Sequence, residues 1–278
     1  MGEIIVGVDG SDGSRAALRW AARTAAAQGA GLRAVAAWQD PASAVTPAGP
    51  ARLPGPEEMD EQSCDGVRVV VREELEADAD RVEVEAGRGP AASVLLGVAA
   101  RADADMLVVG ARGRGGFAGL LLGSVSQACV EHSPCPVGVL RGEPAPSDGP
   151  IVVGLDGSEG ATRALDWASD LAEATGVTIV AVHAPMLGAN KAIMEAARES
   201  LEQSCAPIRA RTVPHEMRIE PGYARTALGL VAGEALASLL VVGTRGLGAV
   251  RGLLLGSVAG YVARYSKRPI AVVPRSTG

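Results

Sequence analysis

The sequence predicts an α/β protein made of two tandem units, each a five-stranded parallel sheet with helices on both faces. Three observations predict it. The stretch Leu107–Ser126, LVVGARGRGGFAGLLLGSVS, returns 133 positions later at Leu240–Ala259 as LVVGTRGLGAVRGLLLGSVA. The two halves open alike, with IIVGVD at Ile4–Asp9 and IVVGLD at Ile151–Asp156, continuous apolar runs of the kind buried in parallel sheets. Between these landmarks, short apolar runs alternate with longer alanine-rich stretches of helical periodicity, the pattern of repeated βαβ units.

In the first unit the strand Ile4–Asp9 turns through Gly10, Ser11, Asp12 and Gly13 into a helix, about Ser14–Gln28, whose apolar face is Leu18, Ala21, Ala22 and Ala25. There follow a strand Leu32–Ala37, a helix Val67–Ala79, a strand Arg81–Glu85, a helix Ala91–Arg101, the strand Leu107–Gly110, a helix from Ser124 and a last strand Pro136–Leu140. The second unit repeats the order after Ile151–Asp156, with a helix Ala161–Ala174, strand Thr178–His183, helix Ala192–Gln203, strand Glu216–Glu220 and helix Ala224–Glu234. The strand Leu240–Gly243, a helix from Ser257 and the strand Pro269–Val273 complete it. Trp20 and Trp167 occupy equivalent helix positions and read as packing residues. The stretch RGEPAPSDG, 141–149, reads as a connection, giving units 1–142 and 150–278 joined by a linker 143–149. The excess length of the first unit falls in 40–62, where Pro41, Pro47, Pro50, Pro54 and Pro56 argue against helix or strand. A plain mobile loop ranks ahead of a lid or a partner-binding arm there.

Composition excludes several function classes. At 278 residues and 47% apolar content the chain has ample core material for two domains, and with 3% aromatics that core is Ala, Val and Leu. Few aromatics, a net charge of -6 and a pI near 5.2 argue against base-stacking platforms and against a basic nucleic-acid footprint. No apolar run approaches the roughly 18 residues of a membrane span and no leader pattern precedes the first strand, so a soluble, cytoplasmic protein is expected. Cys64, Cys129, Cys135 and Cys205 lack C-x-x-C spacing and read as free thiols, with a redox role for Cys64 the lesser reading. No clustered His, Cys or carboxylate set points to a metal site.

The chemistry-bearing feature is the glycine-rich loop. Gly110 and Gly113, then Gly123-Ser124, recur as Gly243 and Gly246, then Gly256-Ser257, each time between an apolar strand and a helix. Glycines let backbone approach a ligand, and the unpaired N–H groups of the helix start, with its partial positive charge, favour phosphate oxygens. Ser124 and Ser257 fit a helix N-cap or a phosphate contact. Asp9 and Asp156 end first strands, where open α/β sheets place ligands; a helix cap is the other reading. Gly113 to Ala118 also matches G-x-G-x-x-A, but it lies far from the first strand, where a dinucleotide fold would carry that motif.

This spacing, G-x2-G-x9-G-[ST], resembles the signature of universal stress proteins that bind ATP, and both halves carry it. The resemblance implies a Rossmann-like, adenine nucleotide alpha hydrolase-like fold for each unit, and one ATP site per repeat, with Mg2+ as an optional companion. It places Asp9 and Asp156 on the nucleoside side and backbone groups at Ala37-Trp38 and His183-Ala184 against adenine. The first site is then Asp9, Gly10, Ser11, Ala37, Gly110, Arg112, Gly113, Gly123, Ser124, Val125 and Ser126. The second is Asp156, Gly157, Ser158, Ala184, Gly243, Arg245, Gly246, Gly256, Ser257 and Val258. Arg112 and Arg245 either face phosphates or are solvated. Ala259 stands where the first repeat has Ser126, so the loss of a hydroxyl contact of about 1 kcal/mol predicts a weaker second site. The resemblance also implies that the final strands pair edge to edge, making an intrachain pseudo-dimer; a homodimer of the whole chain is a further option.

No catalytic residues are assigned. The chain lacks G-x-x-x-x-G-K-[ST], H-E-x-x-H and G-x-S-x-G, and the loops that would be active carry no repeated carboxylate pair. The leading function is an ATP-binding stress-response regulator or nucleotide-sensing module. A slow ATP hydrolase or adenylate-handling enzyme, and a non-binding scaffold, are the alternatives.

Overall fold

The computed structural model describes residues 2–39, 55–115, 121–141, 146, 148–186, 188–211, 213–247 and 254–275. Its strands are β1 (Glu3–Gly7), β2 (Gly31–Trp38), β3 (Val82–Arg88), β4 (Met106–Gly110), β5 (Val137–Leu140), β6 (Ile151–Gly154), β7 (Ile179–His183), β8 (His215–Ile219), β9 (Leu239–Gly243) and β10 (Ile270–Val273). The helices are α1 (Asp12–Gln28), α2 (Pro56–Leu75), α3 (Ala91–Arg101), α4 (Ser124–His132), α5 (Glu159–Thr175), α6 (Lys191–Ser204), α7 (Ala206–Arg209), α8 (Ala224–Glu234) and α9 (Ser257–Tyr265).

All ten strands form one sheet, in the order β3-β2-β1-β4-β5-β10-β9-β6-β7-β8. Within each half the pairing is parallel. At the centre β5 and β10 meet antiparallel, with Val139 opposite Ile270, Gly138 opposite Ala271 and Val137 opposite Val272. The edge-to-edge pairing expected of the final strands is therefore present, and it covers two strand edges that would otherwise be open. The outer edges are charged instead: on β3 and β8, Glu83, Glu85, Glu216 and Arg218 discourage further pairing.

Helices cover both faces, and two cores run across the whole sheet. One gathers the buried sides of α1, α2, α5 and α6 and includes Leu18, Val67, Leu165 and Leu201; Trp20 and Trp167 pack against it. The other gathers α3, α4, α8 and α9 and includes Leu95, Val130, Leu228 and Val262. Each fully buried Val, Leu or Ile contributes about 1.5–3 kcal/mol, so the core is built mainly of small aliphatic side chains.

One expectation is corrected. The prolines do not keep all of 40–62 out of helix, because α2 begins at Pro56. Proline at the first helical position loses no hydrogen bond and arrives with helical φ. Gly55 N–H donates to Glu58 Oε2 at 3.1 Å and secures that start. Residues 40–54 of the expected loop lie outside the described residues, as do 142–145 and 147 of the linker. At its other end α2 stops at Leu75 and the chain continues as a 3-10 turn, Glu76–Arg81, rather than as helix to Ala79.

Candidate functional site

Each half has a crevice where β1 and β4, or β6 and β9, end side by side. The chain leaves β1 for α1 on one face and β4 for α4 on the other, which opens a gap beyond the carboxyl ends of the strands. The gap in the first repeat is a cavity of about 730 Å³, and that in the second about 360 Å³. Both lie within the range of small-molecule sites.

The floor of the crevice is a junction of two loops. Asp9 Oδ1 accepts hydrogen bonds from Ser11 N at 3.0 Å and Ser11 Oγ at 2.6 Å, while Oδ2 accepts from Arg114 N at 2.9 Å. In the second repeat Asp156 accepts from Ser158 N at 3.0 Å and Leu247 N at 2.9 Å. Gly10 and Gly157, with φ of 77° and 79°, make the turn that lets the chain fold back on the carboxylate. These aspartates are not helix caps: the Ser11 and Ser158 hydroxyls cap α1 and α5, accepting from Ser14 N and Ala161 N. Burial raises the Asp9 pKa, but the hydrogen bonds from Ser11, Arg114 and Ser14 outweigh it and hold the carboxyl below its ordinary value.

The same junction explains the glycine spacing. A side chain on Gly113 or Gly246 would run into the carboxylate of Asp9 or Asp156. A Cβ on Gly110 would lie 2.6 Å from the Gly13 carbonyl carbon, and one on Gly243 would lie 2.6 Å from the Gly160 carbonyl oxygen. Gly13 and Gly160 are thus partners of the loop glycines. The repeated D-G-S-[DE]-G at 9–13 and 156–160 was the available signal for them.

The starts of α4 and α9 form one end of each crevice. The N-caps of α4 and α9 are Gly123 and Gly256, in extended conformation, so Ser124 and Ser257 are first helical residues and not caps. Among the described residues no side chain caps either helix. The first intrahelical bonds are Gln127 N to Gly123 O and Gly260 N to Gly256 O. The N–H groups of residues 124–126 and 257–259 precede those bonds, and all six residues line the cavities. The hydroxyl of Ser126 is already engaged, donating to Gly110 O at 2.6 Å. Its replacement by Ala259 therefore removes a brace of the loop and not a free phosphate donor.

At the other end, strand alternation decides which backbone groups face the crevice. Val35 O accepts from Val8 N on the β1 side and Trp38 O accepts from Gly89 N on the β3 side. The N–H and C=O of Ala37 accordingly point past the end of β1, into the cavity. In the second repeat Val182 O accepts from Leu155 N and His183 O from Glu220 N, which leaves Ala184 facing the crevice. Trp38 is buried and donates from Nε1 to Asp60 Oδ1 at 2.5 Å. His183 donates from Nδ1 to Leu155 O at 2.7 Å.

Every residue expected in the first site lines the first cavity, and every residue expected in the second lines the second except Gly157, which serves the turn. Arg112 and Arg245 line their cavities, and among the described residues neither pairs with a carboxylate. Sequence reasoning missed Arg114, which lies over Gly10; the alternating R-G-R-G of 112–115 was its only signal, and the second repeat has Leu247 there. It also missed the α2 wall, where Ser63, Gly66, Val67 and Val70 line the first cavity, while no residue of α6 lines the second. Gly116, Phe117 and Ala118 lie outside the described residues. Among the described residues no group of three His, Cys, Asp or Glu could hold a metal ion.

Comparison with known proteins decides the family. The model of the Universal stress protein family matches residues 1–141 and again 149–274. The chain belongs to the universal stress protein family. One universal stress protein of Mycobacterium tuberculosis is 33% identical over 293 residues, covering 98% of this chain and 96% of its own. Another from that organism is 31% identical over 292 residues, covering 98% and 97%. Among solved structures, a universal stress protein from Archaeoglobus fulgidus superposes with a TM-score of 0.73 at 22% identity, covering 98% of both chains, and shows the same tandem fold.

Proposed function

We propose that each repeat of this universal stress protein binds one ATP, and that the chain acts as a nucleotide-sensing regulator in the cytoplasm during stress. The observation that carries the reading is the pair of uncapped helix starts, α4 and α9, each opening into a cavity whose glycines leave no room for side chains. Phosphate oxygens would accept from the N–H groups of residues 124–126 and 257–259, with the helix dipole in support. Arg112 and Arg114 add positive charge to the first site, and Arg245 adds it to the second. The N–H and C=O of Ala37 and Ala184 offer the donor and acceptor pair that an adenine edge requires. The four free cysteines suit a reducing compartment.

Sensing fits better than turnover. Asp9 and Asp156 hold loop N–H groups at both oxygens, which gives each carboxylate a structural role in the loop. The test is the nucleotide content of freshly purified protein, released by denaturation, followed by calorimetric titration of stripped protein with ATP. Two ATP per chain is the expected result. Mostly ADP or AMP would favour hydrolysis instead, and neither release nor binding heat would sink the reading.

A further inference from the structure

Arg141, the residue after β5, reaches both repeats. Its Nη1 donates to Leu121 O at 2.9 Å, two residues before the Gly123 start of α4. Its Nη2 donates across the central seam to Ala263 O and Arg264 O, both at 2.7 Å. Those carbonyls belong to the last turn of α9, where no intrahelical donor remains for them. The residue before Arg141 braces the same loop: Leu140 O accepts from Ala111 N at 2.7 Å, and Ala111 O accepts from Gly123 N at 2.8 Å. One short stretch of chain therefore holds the start of α4, at the first cavity, and the end of α9. The first turn of α9 lines the second cavity, about 13 Å away along a single rigid helix.

The arrangement is one-sided. In the second repeat the loop brace recurs, with Thr244 N donating to Val273 O and Gly256 N to Thr244 O, but Pro274 stands where Arg141 would be and has no donor to send back. Arg141 is also electrostatically exposed to the first site. Burial and the charge of Arg112, which lines the first cavity, both disfavour its guanidinium charge. An anion beside Arg112 would offset that repulsion.

We propose that Arg141 is a positioning residue that couples the two nucleotide sites, so that filling the first raises the affinity of the second through α9. This rests on the ATP reading above. Reciprocity requires the second site to raise the affinity of the first by the same factor, of order fivefold for a coupling of this class.

Two measurements on the full chain test it. In nucleotide-free protein, hydrogen exchange is compared between wild type and Arg141→Met. Faster exchange at Gly123 together with Gly260 and Tyr261 is the expected result; a change confined to the last turn of α9 overturns the link. In ATP titrations, the first-site affinity is compared with the second site open or closed by Gly246→Val. The expected difference of about fivefold vanishes in Arg141→Met and returns in part in Arg141→Lys. Independent sites in wild type, or coupling that survives Arg141→Met, overturns the proposal. Absence of any ATP binding in wild type fails the nucleotide reading instead, and the exchange measurement still decides whether Arg141 joins the two ends.

Discussion

The carboxylate of Asp9 accepts the backbone N–H of Arg114 at 2.9 Å across 105 positions of sequence, and this bond closes the floor of the first crevice. Asp156 and Leu247 repeat it at 2.9 Å in the second. The aspartate thus shapes the loop that lines the crevice.

Replacement of Asp9 by alanine frees the Arg114 and Ser11 N–H groups and loosens the loop. ATP affinity at the first site is expected to fall about tenfold, one or two hydrogen bonds' worth, and that at the second by no more than the coupling factor, in calorimetric titration. The acid dependence follows from the same bonds. Because the folded-state pKa of Asp9 is depressed, its contribution to stability is complete above the ordinary value of 3.8 and is lost as pH falls through the lower, folded value. Urea midpoints measured from pH 7 down to pH 2 should show that loss in wild type and a smaller one in Asp9→Ala.

Gly110→Ala and Gly229→Ala make opposite predictions from one substitution. At Gly110 a Cβ meets the backbone of Gly13 and Ser14 at 2.6–2.8 Å, and backbone cannot swing aside. A loss of about 1–3 kcal/mol in urea unfolding is expected. Gly229 sits inside α8 with open space around its missing Cβ, so alanine there should add about 0.5–1 kcal/mol.

Leu236 follows α8 with φ of 50°, a left-handed conformation that costs a branched side chain about 1 kcal/mol. It is 57% exposed and so recovers little by burial. Leu236→Asn, which tolerates this region, is expected to raise stability by several tenths of a kcal/mol to about 1 kcal/mol in denaturant titration.

The cysteines should separate by exposure. Burial, with Cys135 beside it, pushes the Cys129 thiol up to about 12, and burial raises those of Cys135 and Cys205 as well. Cys64 is half-buried and its thiol is also raised by burial, which favours the thiol over the more reactive thiolate. Iodoacetamide at pH 8 should modify Cys64 first and the other three only on unfolding, read by mass spectrometry.

Much of this was legible in the sequence because the governing physics is local. The starts of α4 and α9 follow from Gly-Ser after an apolar run, and the ends of α3 and α8 fall at Arg101 and Glu234 as their periodicity predicts. Pro56 was misread because a proline says only that no N–H is offered, which breaks a helix interior and suits a helix start equally well. Ser126 and Asp9 line the cavity as expected, but the bonds they make within the protein, Ser126 Oγ to Gly110 O and the Ser11 and Arg114 N–H groups to Asp9, were not legible. Each has several groups within reach of its hydroxyl or carboxylate, and the residue type alone does not choose among them.

The sequence by itself determined the duplication, the alternation of strands and helices, and the glycine positions, since periodicity and steric exclusion act between near neighbours. Tertiary structure alone decided the difference in size between the two cavities. The larger first cavity comes from α2 closing over it, and the junction of the repeats comes from Val139 and Ile270 meeting across the seam with Arg141 reaching over it to α9. Those contacts join residues scores of positions apart, and they exist only once two whole sheets have packed edge to edge.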